Sequence, residues 1–327
     1  MKNENIDIAN TIFDHVSDSH EWHIAGTHNH GIIFSLPVIL WNNGLEIFSS
    51  SRFSCKNQNV VEGKYGYYKM FRGIIYKTNY LGLLYIDSKG IPKNDKPLDF
   101  SITKNVVSIF ISSFLLSYLF IRMKRSYQNH QMKWSLGILL EFLILFIRDE
   151  IAIPNIGSKK YKIFFPFLLT SFFFILINNL IGLIPGFPNV TGNINVTFVL
   201  ATMTFIISNM NANMSYWKHV FWMPGVPMGI KLLLAPIEFI GIFIRPLTLC
   251  IRLFANITAG HIIILSFICL IFVFKNFFIV GFSLIFGFFI SMLEIMVAFL
   301  QAFIFTTLSA LLIGMSVKNY NYDNETH

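Results

Sequence analysis

Polar and apolar positions are distributed very unevenly along this chain of 327 residues. Up to about residue 100, polar and aromatic residues mix with Gly and Pro. No apolar run there reaches the ~18 residues of a membrane-crossing helix, so this part is expected outside the bilayer. Within it, SLPVILW and LEIFSS flank NNG and predict two short strands around an Asn43-Gly44 turn. Thereafter long apolar runs take over. The first predicted span is Val106 to Ile121, closed by the basic stop RMKR. The next stretch, LGILLEFLILFIRDEIAIPNIG, interrupts its apolar stripes with Glu141, Arg148, Asp149 and Glu150, which suits a helix lying along the interface. Further spans are predicted over Phe165 to Ile184 and Ile194 to Asn209.

Two much longer runs follow, Leu232 to Phe274 and Asn276 to Val317, with little more than Lys275 between them. A helix of about 40 residues is about 60 Å long, twice the ~30 Å hydrocarbon thickness, so these helices cannot stand upright. They predict a steeply tilted helical hairpin, with Pro236 and Pro246 able to bend its first arm. The fold class is therefore an all-α integral membrane protein with about five crossings, an interfacial helix and a small N-terminal extramembrane segment. The division is 1–104 outside, 105–317 in the membrane and 318–327 as a C-terminal cytoplasmic tail.

Composition supports this reading: 54% of residues are hydrophobic and 13% charged, too apolar for a soluble domain of this size. The net charge of +8 is carried largely by Lys and Arg flanking apolar runs, which marks cytoplasmic loops rather than a nucleic-acid surface. Three cysteines, Cys55, Cys250 and Cys269, form no paired framework. The start has no apolar core of signal-peptide length.

Charged groups inside the long runs then demand an explanation, because each costs roughly 2.5 to 3.5 kcal/mol to insert at mid-membrane. The first arm carries Glu238, Arg245, Arg252 and His261, and the second carries Glu294 and Gln301. At 100° per residue, steps of seven return to nearly the same direction, so Glu238, Arg245 and Arg252 share a face, with Asn256 near it. His261 points the other way. Glu294 and Gln301 share a face of the second arm. Arg245 also reads as a snorkelling residue. Arg252 lies too deep for that, and its guanidinium stays charged when desolvated, so it needs an anion. Separately, His261 and Glu294 each read as packing residues; together on facing helices they read as a proton path.

The runs LLLAPIEFIGIFIRPLTLCIRLFANITAGH and LEIMVAFLQAFIFTTLSALLIG resemble the a-subunit family of rotary F-type ATP synthases. The likeness extends back through FIRDEIAIPNIG, NNLIGLIPG and NVTGNINVTF, covering about residues 105 to 317; DHVSDSHEWHI to GLEIFSSSRF resembles the outer segment of longer bacterial members. The resemblance implies that Arg252 takes the place of the essential arginine facing carboxylates of a rotor ring. There a fixed cation favours the ionised form of an approaching carboxylate and blocks leakage between two half-channels. It implies that Asn256 and Gln301 line the route, that His261 and Glu294 form the half-channel open to the outside, and that Glu238 serves the cytoplasmic half. Arg245 fills a position often basic in the family.

Implied partners are the ring of c subunits, the b subunits of the peripheral stalk, the soluble catalytic head and membrane lipid, with no nucleic acid, metal or cofactor. The implied location is the bacterial inner membrane, with residues before the first span outside. On the residues alone, a secondary ion transporter or channel, or a membrane-embedded hydrolase or transferase, stays open; no internal repeat or nucleophile triad marks either. His15, His20, His23, His28 and His30 cluster beside Asp14, Asp18 and Glu21, types that suit zinc or copper. Their spacings match no fixed ligand pattern, and the cluster is read as structural or as concentrating protons near the channel mouth.

Overall fold

The computed structural model describes residues 18–25, 32–54, 60–87, 92–128, 135–184, 187–222, 227–274 and 277–318. They divide into two compact units, Met1–Ile111 with Ile184–Pro188, and Ser112–Leu183 with Asn189–His327.

The first unit is built on short antiparallel strands. β1 (Glu21–Ala25) pairs with β2 (Ile32–Ser35). β3 (Pro37–Trp41) pairs with β4 (Leu45–Ser49), Ile39 lying opposite Ile47, and on its other edge β3 takes the late strand β8 (Leu98–Asp99). β5 (Val61–Glu62), β6 (Tyr67–Phe71) and β7 (Ile74–Thr78) form a third sheet. The β3–β4 hairpin is the one the sequence predicts. Its turn places Asn43 at φ 57°, a left-handed conformation that Asn tolerates better than most residues.

Alternation then sends Val38, Leu40 and Phe48 inward to meet Val61, Tyr68 and Ile75. The same alternation buries Glu46. Its carboxylate accepts from the backbone N–H groups of Lys64 (3.0 Å) and Tyr65 (2.7 Å) and from the Tyr68 hydroxyl (2.9 Å), so the buried charge is fully engaged. Gly63 is required beside it, because the carboxylate occupies the space of a Cβ. Burial, with this carboxylate alongside, pushes the Tyr68 phenol above its usual range.

The helices follow. α1 (Lys104–Gln128) is the first span. The charged stretch after it yields no membrane-length helix: α2 (Ser135–Phe146) passes into a π-helical turn, Ile147–Ala152, and one α turn, Ile153–Ile156. Pro154 offers no N–H to the carbonyl four residues back, and the ladder widens just before it, Ile153 N–H reaching Arg148 O. α3 (Tyr161–Gly182), α4 (Ile194–Met210), α5 (Met214–Phe221), α6 (Met228–Phe274) and α7 (Phe277–Val317) complete the second unit.

Among the described residues four helices, α1, α3, α6 and α7, are long and apolar enough to cross a bilayer. α4 reaches that length only together with α5, which turns away by 103°. With these helices the chain is a multi-pass membrane protein. Neither Pro236 nor Pro246 ends α6, as expected where no water is present to satisfy freed backbone groups.

The core of this unit is Leu168, Phe172 and Ile175 of α3 against Ala302, Phe305 and Ile313 of α7, with Ile147 and Ile151 of the π turn. The last turn of α7 is fastened from two sides. Its Val317 carbonyl accepts from Lys160 Nζ (3.1 Å) and Asn213 Nδ2 (2.6 Å), satisfying an acceptor that a helix end leaves open. Gly314 lets the Asn155 carbonyl pack where a Cβ would stand.

Candidate functional site

α6 and α7 pack against each other more extensively than any other pair of elements. The contact rests on a stripe of α6 at helical spacing, Leu249, Leu253 and Ile257, all buried, and on small residues of α7, Ala298 and Ala302, which let the backbones approach. Cys250 is buried beside the stripe, 3.4 Å from the Thr197 hydroxyl of α4.

Away from that stripe α6 carries its charged face. Arg245 Nη2 donates to Glu238 Oε1 at 2.6 Å, so the seven-residue spacing does bring these two together. The other arm of the Arg245 guanidinium points to Met315 Sδ, 3.9 Å away. Arg252, one further step of seven, is half-buried and takes no ion pair or hydrogen bond among the described residues. Asn256, a turn beyond it, is exposed. Elsewhere on the same helix Ile244, Leu247 and Ile251 are about half exposed. A permanent cation inside an apolar helix, with no anion paired to it among the described residues, is costly to hold there.

On α7 the two sequence-predicted residues are both buried, Glu294 and Gln301 at 5% exposure each, on one face as their spacing requires. Glu294 Oε2 has no hydrogen-bond partner. Its other oxygen lies over Gly260 of α6, where an added Cβ would come within 2.9 Å. His261, the next residue, is half-buried. The structure therefore joins Glu238 to Arg245 and seats Glu294 beside the Gly260–His261 peptide. It leaves Arg252 unattached to any carboxylate among the described residues.

Two features escaped the sequence reading. One is Gly260 as the seat of the Glu294 carboxyl, for which the small residue before His261 is the only signal. The other is a polar link from α3: Asn179 Nδ2 donates to the Ala298 carbonyl (3.1 Å), and Asn179 Oδ1 accepts from the Thr191 hydroxyl (2.6 Å). The paired asparagines of NNLIG, inside an apolar run, were the available sign. Of the N-terminal histidines, His15, His28 and His30 lie outside the described residues, and His20 Nε2 sits 3.2 Å from Asp99 Oδ2.

Residues 106–314, which contain the whole polar track, match a family model described as ATP synthase A chain. The chain belongs to the ATP synthase A chain family. Its relatives include ATP synthase subunit a of Chloroherpeton thalassium, 44% identical over 235 residues that make up 70% of each chain. ATP synthase subunit a 2 of Prosthecochloris aestuarii is 42% identical over 236 residues, 69% of this chain and 72% of the relative. ATP synthase subunit a of Myxococcus xanthus is 40% identical over 240 residues, 71% and 78%. Residues 11–100 match a separate family described as a domain of unknown function, and the ATP synthase A chain match starts at residue 106, where the long helices begin.

Proposed function

We propose that this chain is the proton-translocating stator subunit of a rotary F-type ATP synthase, passing protons to and from carboxylates on a ring of partner subunits. The single observation that carries the proposal is Arg252: a permanent cation inside a long apolar helix, with no anion paired to it among the described residues. A ring that presents one carboxylate after another to that side chain supplies the missing charge and is released from it by protonation.

The remaining residues take roles around it. Protons reach the ring from outside past His261 and Glu294 and leave toward the cytoplasm by way of Glu238, which Arg245 holds in place. Asn256 and Gln301 line the approach to the arginine. Each charge crossing the potential releases about 2.3 kcal/mol per 100 mV, which turns the ring. The chain itself forms and breaks no covalent bond. The bonds of ATP are made in a soluble head, held against rotation by a peripheral stalk of b subunits. The setting is the bacterial inner membrane, with the β unit outside and Lys318 on the cytoplasmic side.

The test is purification of the tagged chain from native membranes, followed by proton-driven ATP synthesis in vesicles. A rotor ring and an ATPase head should accompany the chain. Arg252→Ala should abolish synthesis while the chain remains inserted. Purification without a ring, or normal synthesis by the variant, overturns the reading.

A further inference from the structure

The β unit is patterned inside out on one sheet. In β3, β4 and the segment that begins with β8, the acidic residues Glu46 and Asp99 lie on the side turned to the unit's core or to His20. The opposite side carries Trp41, Leu45, Ile47, Leu98 and Phe100, each more than half exposed. Register places them together: Trp41 lies opposite Leu45 on one edge and Leu98 on the other, and Phe100 N–H donates to Ile39 O at 2.9 Å. Among the described residues no charged side chain interrupts this face. An uncharged, contiguous patch of large side chains is a contact surface rather than a solvated one.

The chain itself indicates what covers it. From Leu98 onward the backbone stays fastened along β3, with Ile102 N–H on Pro37 O (3.2 Å) and the Ser101 hydroxyl accepting from Ile39 N–H (3.1 Å). Lys104 N–H then bonds Ser19 O (3.1 Å), and the membrane helix α1 begins. The first turns of α1, through Ile111, belong to the same compact unit as the sheet. Lys104 is four chain steps from Phe100, a reach of at most ~14 Å. The polar layer of a bilayer is roughly 5 to 7 Å thick on each side. The patch is thus tethered within about two headgroup layers of the point where the chain enters the hydrocarbon, and Trp is a residue that favours this depth.

We infer that the Trp41–Leu45–Ile47–Leu98–Phe100 face of the β unit rests on the lipid surface beside α1, as a monotopic anchor. The sheet then lies on the bilayer with its charged side away from lipid, and the unit is held at the membrane by more than the α1 tether.

The inference is tested with the full chain in phosphatidylcholine–phosphatidylglycerol vesicles, with and without bromine atoms on the upper acyl chain. The chain holds five tryptophans, so the contribution of Trp41 is taken as the difference between the native protein and Trp41→Phe. That contribution should fall by more than half in brominated vesicles. The double variant Leu45→Asp/Ile47→Asp should restore at least half of it, and Leu45→Ser/Ile47→Thr, milder for folding, should restore part. Equal Trp41 emission in both vesicles overturns the inference, as does quenching that neither double variant changes. Shielding of Trp41 that appears only in an assembled complex, without quenching by brominated lipid, overturns it in favour of a protein contact.

Discussion

α3 and the α6–α7 pair are written in the same apolar alphabet, yet half of the membrane-length window of α3 is buried within the chain, against 17% for those of α6 and α7. In lipid, apolar surface gains little by choosing another helix over an acyl chain, so apolar content does not separate core from contact face. Polar side chains do. In α3 most are spent internally: Asn178 Nδ2 donates to Phe174 O (2.8 Å), though its buried Oδ1 takes no partner, and Asn179 bridges Ala298 and Thr191. In α6, Arg252 and Asn256 take no hydrogen bond or ion pair among the described residues.

Exchanging the two kinds of residue should separate function from stability. The largest effect is expected from Arg252→Ala: proton-driven synthesis in vesicles falls by about 100-fold or more. Thermal unfolding of the detergent-purified chain should stay within about 0.5 kcal/mol, since no hydrogen bond or ion pair among the described residues is lost. Next, Asn179→Ala strips partners from the buried Thr191 hydroxyl and Ala298 carbonyl and should cost about 1 to 3 kcal/mol in the same unfolding measurement. An unchanged transition would erase the contrast between the helices.

Glu294→Gln should slow passive proton flux roughly tenfold, measured with a pH-sensitive dye in vesicles. It should leave stability level or slightly improved, because the buried Oε2 has no bond to lose.

The smallest effect belongs to the β unit, where water can substitute for a lost partner. Burial pushes the Asp99 carboxyl upward, but hydrogen bonds with His20 and Ser101 outweigh it and hold the group below the usual carboxylate range. A depressed carboxylate contributes its full stability above that range and loses it as pH falls through the depressed value. Asp99→Asn should therefore cost less than about 1 kcal/mol near neutrality, Asp99 being about one-third exposed, and nothing in strong acid. The pH dependence of thermal unfolding checks it.

The helices were legible because a bilayer sets one dominant rule, and runs such as Ile194 to Asn209 obey it to within a residue or two of the observed α4. The spacing of seven was enough to unite Glu238 with Arg245, since an unbroken helix turns spacing into direction. It could not tell which of two arginines would hold the carboxylate. Most of the β unit was not legible. β6 and β7, YYKMF and IIYKT, mix Tyr and Lys into both faces, and half-buried aromatics blur the alternation that made β3 and β4 readable. Gly260 and Gly314 matter for what approaches them from distant segments, which no local pattern encodes.

The Val317 carbonyl, clasped by a lysine and an asparagine that precede it by 157 and 104 positions, also orders the assembly of the protein in time. Both donors leave the ribosome long before their acceptor exists, so the clasp can close only once the last turn of α7 has been made. Synthesis of that turn, rather than insertion of any single segment, is what fastens these three distant parts of the chain together.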